Sequence, residues 1–458
     1  MQGIDATSLP RTLETPDAMP GGLTAFERAL WLVTLVEIPL QFDKYLFFRP
    51  DDAAVGSIGG LNVSLTSFCI LGLLVCWCMR AVEGRTRPSR ALHLGWLPLT
   101  FLLLSILSVF AATDRQLVLF EVGLLVQAYL LYVLAANRIE TENDAQWLMG
   151  GVVVSGLVQS VLVLMSVAWY HLAGIQELSI GPVDILVSDE GRPGGTLRSP
   201  TGLGSMLTLL MLLSAPCAAL VARQWRWVAR GALALILFGL TAVLLTQTRA
   251  AVGTSLLGLA GIAGWIWYRG WMPRRAALLF IVAGLVMAGP LLLVIQQRVL
   301  QDDRGSAASR VHMTQIALEL ISDRGLLGVG AGNAHVALQD YATQSPYRSE
   351  WFYLTHCKYL IVWAEIGILG LITFVAMLLV GVGRGVRLMV SPVQWLSLVG
   401  LGVAAALVAH GLHMFVDLFN GRPHVEMLWL VLGLVVALHR MHAAESQRAA
   451  SFVPAHSQ

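Results

Sequence analysis

The sequence predicts an all-α fold: a polytopic transmembrane bundle of about twelve spans, with one helical insertion on the extracytoplasmic side between spans nine and ten. Three observations carry this. The 458-residue chain is 56% hydrophobic and only 13% charged. Its mean hydropathy is +0.70. Its apolar residues gather in runs of the roughly 20 residues that a bilayer core requires, a pattern rare in soluble domains.

The spans fall near 25–42, 61–82, 91–112, 116–136, 146–171, 200–222, 228–247, 250–268, 275–296, 358–382, 393–417 and 424–440. The first is short and contains Glu37 and Pro39, so the count is eleven if it does not cross. The divisions that follow are a cytoplasmic tail at 1–24, spans one to nine within 25–297, the insertion at 298–357, spans ten to twelve within 358–440, and a second cytoplasmic tail at 441–458. The polar N-terminal stretch contains no short apolar core with a small-residue cleavage site, which predicts no removable signal peptide. No repeat of fixed period is present.

A net charge of +2 excludes a strongly basic nucleic-acid binder and makes charge placement the useful quantity. Short loops on one side carry Arg80, Arg85, Arg87 and Arg90, then Arg223, Arg226 and Arg230, then Arg269, Arg274 and Arg275, then Arg384 and Arg387. The positive-inside bias makes this the cytoplasmic face. The acidic loop Asn137 to Ala145 breaks the trend, but acidic residues weigh little in that bias. The 173–199 loop, the Arg249 turn and the 298–357 insertion then face outward. Of five cysteines, Cys69, Cys76, Cys78 and Cys217 fall in apolar spans and Cys357 stands alone, so neither a disulfide framework nor a cysteine-rich metal site is expected.

Within the insertion, Met313, Ile316, Ala317, Leu320 and Ile321 recur at helical spacing, with Arg310, Gln315 and Glu319 elsewhere on the wheel. An amphipathic helix over Ser306–Asp323 follows, lying on the membrane or over a cavity and stopped by Gly325.

Outward arginines run against the bias, and here Arg192, Arg198, Arg249 and Arg310 cluster, which points to an anionic ligand. Arg249 joins two apolar helices with almost no loop, which sets its guanidinium at the membrane boundary; the bland alternative is a snorkelling arginine. His356 sits where the insertion re-enters the membrane, an environment that keeps an imidazole neutral and suits a general base, unless it is simply a solvated loop histidine. Glu365 lies nine positions on, the opposite face of a helix at 100° per residue, so it needs another partner. His410, His413 and Asp417 share one face of span eleven. They fit polar lining of an outer cavity better than a metal site, because no second ligand cluster stands out. Gly328-Val329-Gly330-Ala331-Gly332-Asn333 has the look of a phosphate loop but follows no strand, so a backbone turn is expected. No Asp-x-Asp pair occurs, which counts against a metal-dependent nucleotide-sugar mechanism.

Four ordered blocks resemble the O-antigen ligase and polymerase-like family of bacterial membrane glycosyltransferases. They are Gly191 to Thr201 (GRPGGTLRSPT), Thr246-Gln247-Thr248-Arg249, Arg310 leading to Gly328–Asn333, and His356 with Tyr359-Leu360 and then Glu365 to Leu371. Family members often carry Asn where Thr201 and Cys357 stand, which touches substrate choice more than reaction type. The resemblance implies transfer of a glycan from undecaprenyl diphosphate to an acceptor hydroxyl at the periplasmic face of the bacterial inner membrane, without metal, cofactor or nucleotide sugar. For a ligase the partners are undecaprenyl-diphosphate-linked O-antigen as donor, lipid A-core oligosaccharide as acceptor, and membrane lipid. The implied roles are His356 as base, Arg192 and Arg249 with Arg198 or Arg310 on the diphosphate, and Glu365, His410, His413 and Asp417 as a supporting polar cavity. O-antigen polymerases and protein O-oligosaccharyltransferases share the blocks and differ in acceptor. A lipid-linked glycan transporter, the reading from another class, should instead scatter ionisable groups through the bilayer midplane.

Overall fold

Where the polar N-terminal sequence gives way to apolar residues, Thr24 and Glu27 close a capping box: the Thr24 hydroxyl accepts the Glu27 N–H at 3.2 Å and the Glu27 carboxylate accepts the Thr24 N–H at 2.8 Å. Helix α1 (Ala25–Leu40) starts there. A computed structural model describes the protein over residues 22–83, 92–188, 190–271, 306–342 and 354–451. After α1 come β1 (Asp43–Leu46), α2 (Pro50–Ala54), β2 (Leu61–Ser64), α3 (Leu65–Val82), α4 (Trp96–Leu107), α5 (Arg115–Arg138) and α6 (Glu142–Ala173). Next are β3 (Glu177–Ile180), β4 (Val183–Val187), β5 (Pro193–Gly195), α7 (Pro200–Ser214), α8 (Arg226–Leu245) and α9 (Arg249–Tyr268). The described residues then continue with α10 (Ser306–Arg324), α11 (Ala334–Ala342), α12 (Lys358–Met389), α13 (Gln394–His413) and α14 (Arg422–Ser451).

Nine of the described helices are long and apolar enough to cross a membrane. They correspond to the expected spans two, four to eight and ten to twelve. Helix α1, at 16 residues, and the apolar stretch Trp96–Phe110 are shorter. The expected span at 275–296, the tail before residue 22, Arg85, Arg87, Arg90, Arg274, Arg275 and two stretches of the insertion (298–305 and 343–353) lie outside the described residues.

Burial separates inner from peripheral helices. In α7, extended by a 3-10 turn to Ala219, 89% of the apolar window is buried, and in α13 78%, against 22% in α3 and 33% in α9. The first pair forms the interior; the second turns its apolar surface outward, as lipid-facing helices do. Helix α14 packs on α5, α12 on α13, α6 on α8, and α7 on α13 and α9.

The helical bundle carries short strands at one end, which the sequence reading did not include. There β1 and β2 pair antiparallel with Asp43 opposite Ser64, and β3, β4 and β5 form a three-stranded antiparallel sheet. Outside the apolar spans the backbone groups can be satisfied between neighbouring segments, and Val183-Asp184-Ile185-Leu186-Val187 alternates buried and half-buried residues as a strand does.

The amphipathic helix of the insertion is present as α10, with Met313, Ile316, Ala317, Leu320 and Ile321 all buried. Its apolar stripe packs on Ile361 and Ala364 of α12 and on Leu338 of α11, so it is seated on protein. Immediately after it the Gly328–Asn333 turn docks into a break in α12 at Gly367, whose φ of 79° and ψ of −177° are closed to residues with a side chain. The break frees the Ala364 and Glu365 carbonyls, and these accept the N–H groups of Val329 and Gly330 at 2.9 Å each. Gly328 and Gly367 are forced by contact: a Cβ on Gly367 would stand 2.5 Å from the Leu326 carbonyl oxygen, and one on Gly328 would meet the Glu365 carbonyl. The remaining N–H groups are also spent inside the protein, Gly328 on the Arg324 carbonyl, Ala331 on the Ser108 hydroxyl and Asn333 on the Gly330 carbonyl, so it is a backbone turn and no phosphate cradle.

Two buried ion clusters brace the ends. At the end opposite the sheets, Glu27 accepts from Arg138 and Arg80, at 2.8 Å each. At the sheet-bearing end Arg422, 1% exposed, meets Glu37 at 2.9 Å, Asp43 at 2.7 Å and Glu426 at 2.8 Å. The Glu37 that makes span one look insecure is therefore the partner of an arginine at the start of α14.

Candidate functional site

The sheet-bearing end receives the starts of α5, α7, α9, α12 and α14 and the ends of α6, α8 and α13. His356 lies here, in the short segment between α11 and α12. Its corner is fixed from three sides. The Lys358 N–H donates to the carbonyls of Met414 (2.8 Å) and Asp417 (3.2 Å), the Leu354 N–H donates to Val55 (3.4 Å), and Thr355 and Thr314 bring their hydroxyls to 3.5 Å, tying the corner to α10. Arg310 stands one helical turn before Thr314, on the exposed face of α10.

The Thr314–Thr355 contact sets α10, which carries Arg310, against the His356 corner, and the Lys358 N–H bond to the Asp417 carbonyl brings Asp417 to the same corner; the Arg310 charge acts on both. Burial and then the Arg310 charge lower the His356 pKa below its ordinary 6.5, with the Leu354 backbone opposing. At neutral pH the imidazole is unprotonated and available as a base. Burial pushes Asp417 up to about 6, against the pull of the Leu418 N–H and Arg310.

Sequence spacing set His410, His413 and Asp417 on one helix face. The structure corrects this: α13 ends at His413, the chain turns through Met414–Val416, and Asp417 sits in the following loop with its carboxylate on the Leu418 N–H at 2.8 Å. The helix stops there because the Met414 and Asp417 carbonyls are held by Lys358. The two histidines also diverge. His413 Nε2 lies 2.7 Å from the Thr254 hydroxyl of α9, whereas His410 stacks on Phe419, with centroids 4.9 Å apart, and Phe419 in turn stacks on His424 at 4.4 Å. Among the described residues no group of three His, Cys, Asp or Glu side chains is arranged to hold a metal ion.

Arg249 is the first residue of α9 and is exposed. Its turn is anchored by Thr248, whose hydroxyl donates to the Pro200 carbonyl at 3.1 Å, and by Gln247 in the left-handed region at φ 53°. Arg192 reaches the same turn, its Nε donating to the Thr246 carbonyl at 3.0 Å. Two of the four expected arginines therefore meet on one loop although 54 positions separate Arg192 from Thr246. Arg198, 58% exposed, is instead clasped by Glu177 (3.1 Å) and Asp184 (2.9 Å) of the β3–β4 hairpin, which answer its charge. Glu365 is buried, and its carboxylate accepts the Ala334 N–H at 3.4 Å, holding the start of α11; it makes no pair with His356.

Residues 232–375 match the family model for O-antigen ligase. Across that segment the chain is O-antigen ligase-like. The match contains Arg249, Arg310, the Gly328–Asn333 turn, His356 and Glu365, and it stops short of Arg192 and Arg198 on one side and of Asp417 on the other. No curated protein matches the chain.

Several participants carry no local sequence signal. Glu121, Lys358 and Glu365 line a cavity of about 30 Å³ together with His410 and His424 beneath the His356 corner. That is room for about one water. Lys358 Nζ donates to Asn420 at 2.6 Å, and Asn420 donates on to the Gly56 carbonyl at 3.2 Å. The amide thus joins three separate segments that meet only in the fold.

Proposed function

We propose that this protein is an O-antigen ligase: a multi-pass glycosyltransferase of the bacterial inner membrane that moves O-antigen glycan from undecaprenyl diphosphate to a sugar hydroxyl of lipid A-core at the periplasmic face. The observation that carries the reading is the convergence of His356, Arg310 and Asp417 at the same end of the bundle as the Arg192–Arg249 turn. Arg80, Arg138, Arg269 and the Arg384–Arg387 stretch gather at the opposite end, which the positive-inside bias makes cytoplasmic.

The chemistry is a single displacement. The acceptor hydroxyl gives its proton to His356 as its oxygen bonds to the anomeric carbon. The bond from that carbon to the diphosphate oxygen breaks, and the electron pair leaves on the diphosphate. Configuration at the carbon inverts. Arg192 and Arg249 hold the diphosphate, because planar guanidinium forks match phosphate oxygens and stabilise the charge developing on the leaving group. Arg310, exposed beside His356, is the third cation on this path, and Arg198 braces the hairpin over it. Asp417, facing the same arginine, shapes the local field. Glu365, His410 and His413 support the surrounding polar interior. The steps need no metal, since guanidinium groups supply the charge compensation. With a glycan chain or a protein hydroxyl as acceptor, the same machinery would serve a polymerase or a protein O-oligosaccharyltransferase.

The test is His356→Ala in cells and with purified protein. The variant should reach the membrane in normal amount, leave lipopolysaccharide without polymer and accumulate carrier-linked glycan. Normal ligation would remove the base assignment. Offering rough lipopolysaccharide, carrier-linked glycan or pilin in separate reactions with the wild type identifies the acceptor by which one gains mass.

A further inference from the structure

Where α2, the start of α5 and α11 meet lies an open basin of about 730 Å³, lined by Arg49, Asp52, Thr113, Asp114, Arg115 and Gln339. Ligand sites of small molecules run from about 300 to 1,000 Å³. We propose that this basin seats the sugar residues of the acceptor glycan next to the one that is glycosylated, an inference that rests on the transfer reaction above.

The lining selects the ligand class. Arg49 is locked between Asp52 and Asp114, at 2.5 Å from each, and Asp52 also meets the buried His335 at 2.7 Å. Two guanidiniums against two carboxylates leave the basin near neutrality, so a simple anion gains little there. An apolar ligand would strip water from these charged pairs and from the Thr113, Arg115 and Gln339 side chains and give no hydrogen bond in return, at a cost. A polyhydroxylated ring satisfies both kinds, because each hydroxyl donates and accepts. Thr113, Arg115 and Gln339 are exposed to the basin and add a hydroxyl, a guanidinium and an amide.

The floor is rigid. Asn333 exchanges hydrogen bonds with the Asp114 backbone, at 2.8 and 2.9 Å, and the Asp114 carboxylate caps α5 through the Gln116 N–H at 2.9 Å. A preformed polar site loses little entropy on binding.

Position assigns the basin to the acceptor. The α2 segment that supplies Asp52 continues to Val55, which touches the His356 corner through Leu354, and to Gly56, held by Asn420. Arg192 and Arg249 meet at the turn between α8 and α9, whereas the basin sits at the start of α5, which packs on α4 and α14. In an inverting displacement the nucleophile approaches opposite the leaving group. The diphosphate on one flank of His356 therefore leaves the α2 flank for the acceptor.

The experiment uses the full-length protein in nanodiscs and, as probe, core oligosaccharide freed from lipid A by mild acid. Binding is measured by calorimetry for the wild type, Gln339→Ala, Thr113→Trp and, as control, Gly383→Ala, each checked for a thermal midpoint no lower than that of the wild type. Gln339→Ala should weaken binding about tenfold, the loss of roughly one net hydrogen bond, and Thr113→Trp, whose ring fills the basin, by at least as much, while Gly383→Ala, which adds a methyl in open space, binds as the wild type does. In transfer assays the acceptor KM should rise by a similar factor, with the donor KM unmoved. Wild-type affinity and acceptor KM in both basin variants would overturn the assignment, as would a wild type that binds no oligosaccharide. If the wild type binds in this substitution-sensitive way yet transfers nothing to lipid A-core, the basin stands and the ligase reading falls.

Discussion

Replacing Gly367 by Ala should separate a backbone requirement from ordinary helix propensity within one helix. At φ 79° and ψ −177° a residue with a Cβ is strained by about 1–3 kcal/mol, and the new carbon would stand 2.5 Å from the Leu326 carbonyl oxygen and 2.8 Å from the Leu327 carbonyl carbon. Relief requires α12 to straighten or the Leu326–Asn333 turn to withdraw, and either breaks the 2.9 Å bonds from Val329 and Gly330 to Ala364 and Glu365. At about 1 kcal/mol net per hydrogen bond, the combined destabilisation is about 3–5 kcal/mol. Gly383, later in the same helix, has open space where its Cβ would be. There Ala should be neutral or stabilise by up to about 1 kcal/mol. Thermal midpoints in detergent, followed by tryptophan fluorescence, give the comparison, and ligation assays on the same preparations show whether His356, nine residues before Glu365, is displaced. Equal midpoints for Gly367→Ala and Gly383→Ala, or a Gly367→Ala protein as stable as the wild type, would refute the account of the helix break.

Arg249→Lys keeps the charge and loses the fork, so the transfer rate should fall about tenfold or more at saturating acceptor; undiminished turnover would mean that positive charge alone suffices. Arg310→Gln removes a cation that holds the His356 pKa down, so that pKa rises towards its ordinary value. The acid limb of kcat/KM against pH should then move to higher pH, and a limb that stays put or moves lower contradicts the proximity of the two groups. Arg422→Met strands Glu37, Asp43 and Glu426 together in the interior and should destabilise by about 3–5 kcal/mol, read as a lowered thermal midpoint; an unchanged midpoint would mean that the carboxylates find other partners.

Features set by local sequence were legible. The buried stripe of α10, the helix stop near Gly325 and the loopless junction at Arg249 follow from spacing and from the length of apolar runs, and each stands where that spacing puts it. Features set by distant partners were not. Nothing near Arg198 in sequence announces Glu177 and Asp184, nor does Glu37 announce Arg422, 385 positions away. Asp417 left its helix because Lys358, from another span, takes the carbonyls that would have continued it. The short sheets escaped notice because a hydropathy window averages over a four-residue strand such as β1 or β3. The basin at Arg49 is assembled from α2, the start of α5 and α11, none of which is apolar enough or charged enough alone to draw attention.

The Arg422 cluster has a consequence for biosynthesis. Glu37 is made 385 residues before Arg422, so the early carboxylates wait through the insertion of the intervening spans before their counter-charge arrives. Until then the corner of the protein that joins α1, β1 and α14 cannot close. A chain released before α14 is made would be held open at that corner, with Glu37 and Asp43 facing each other and no cation between them.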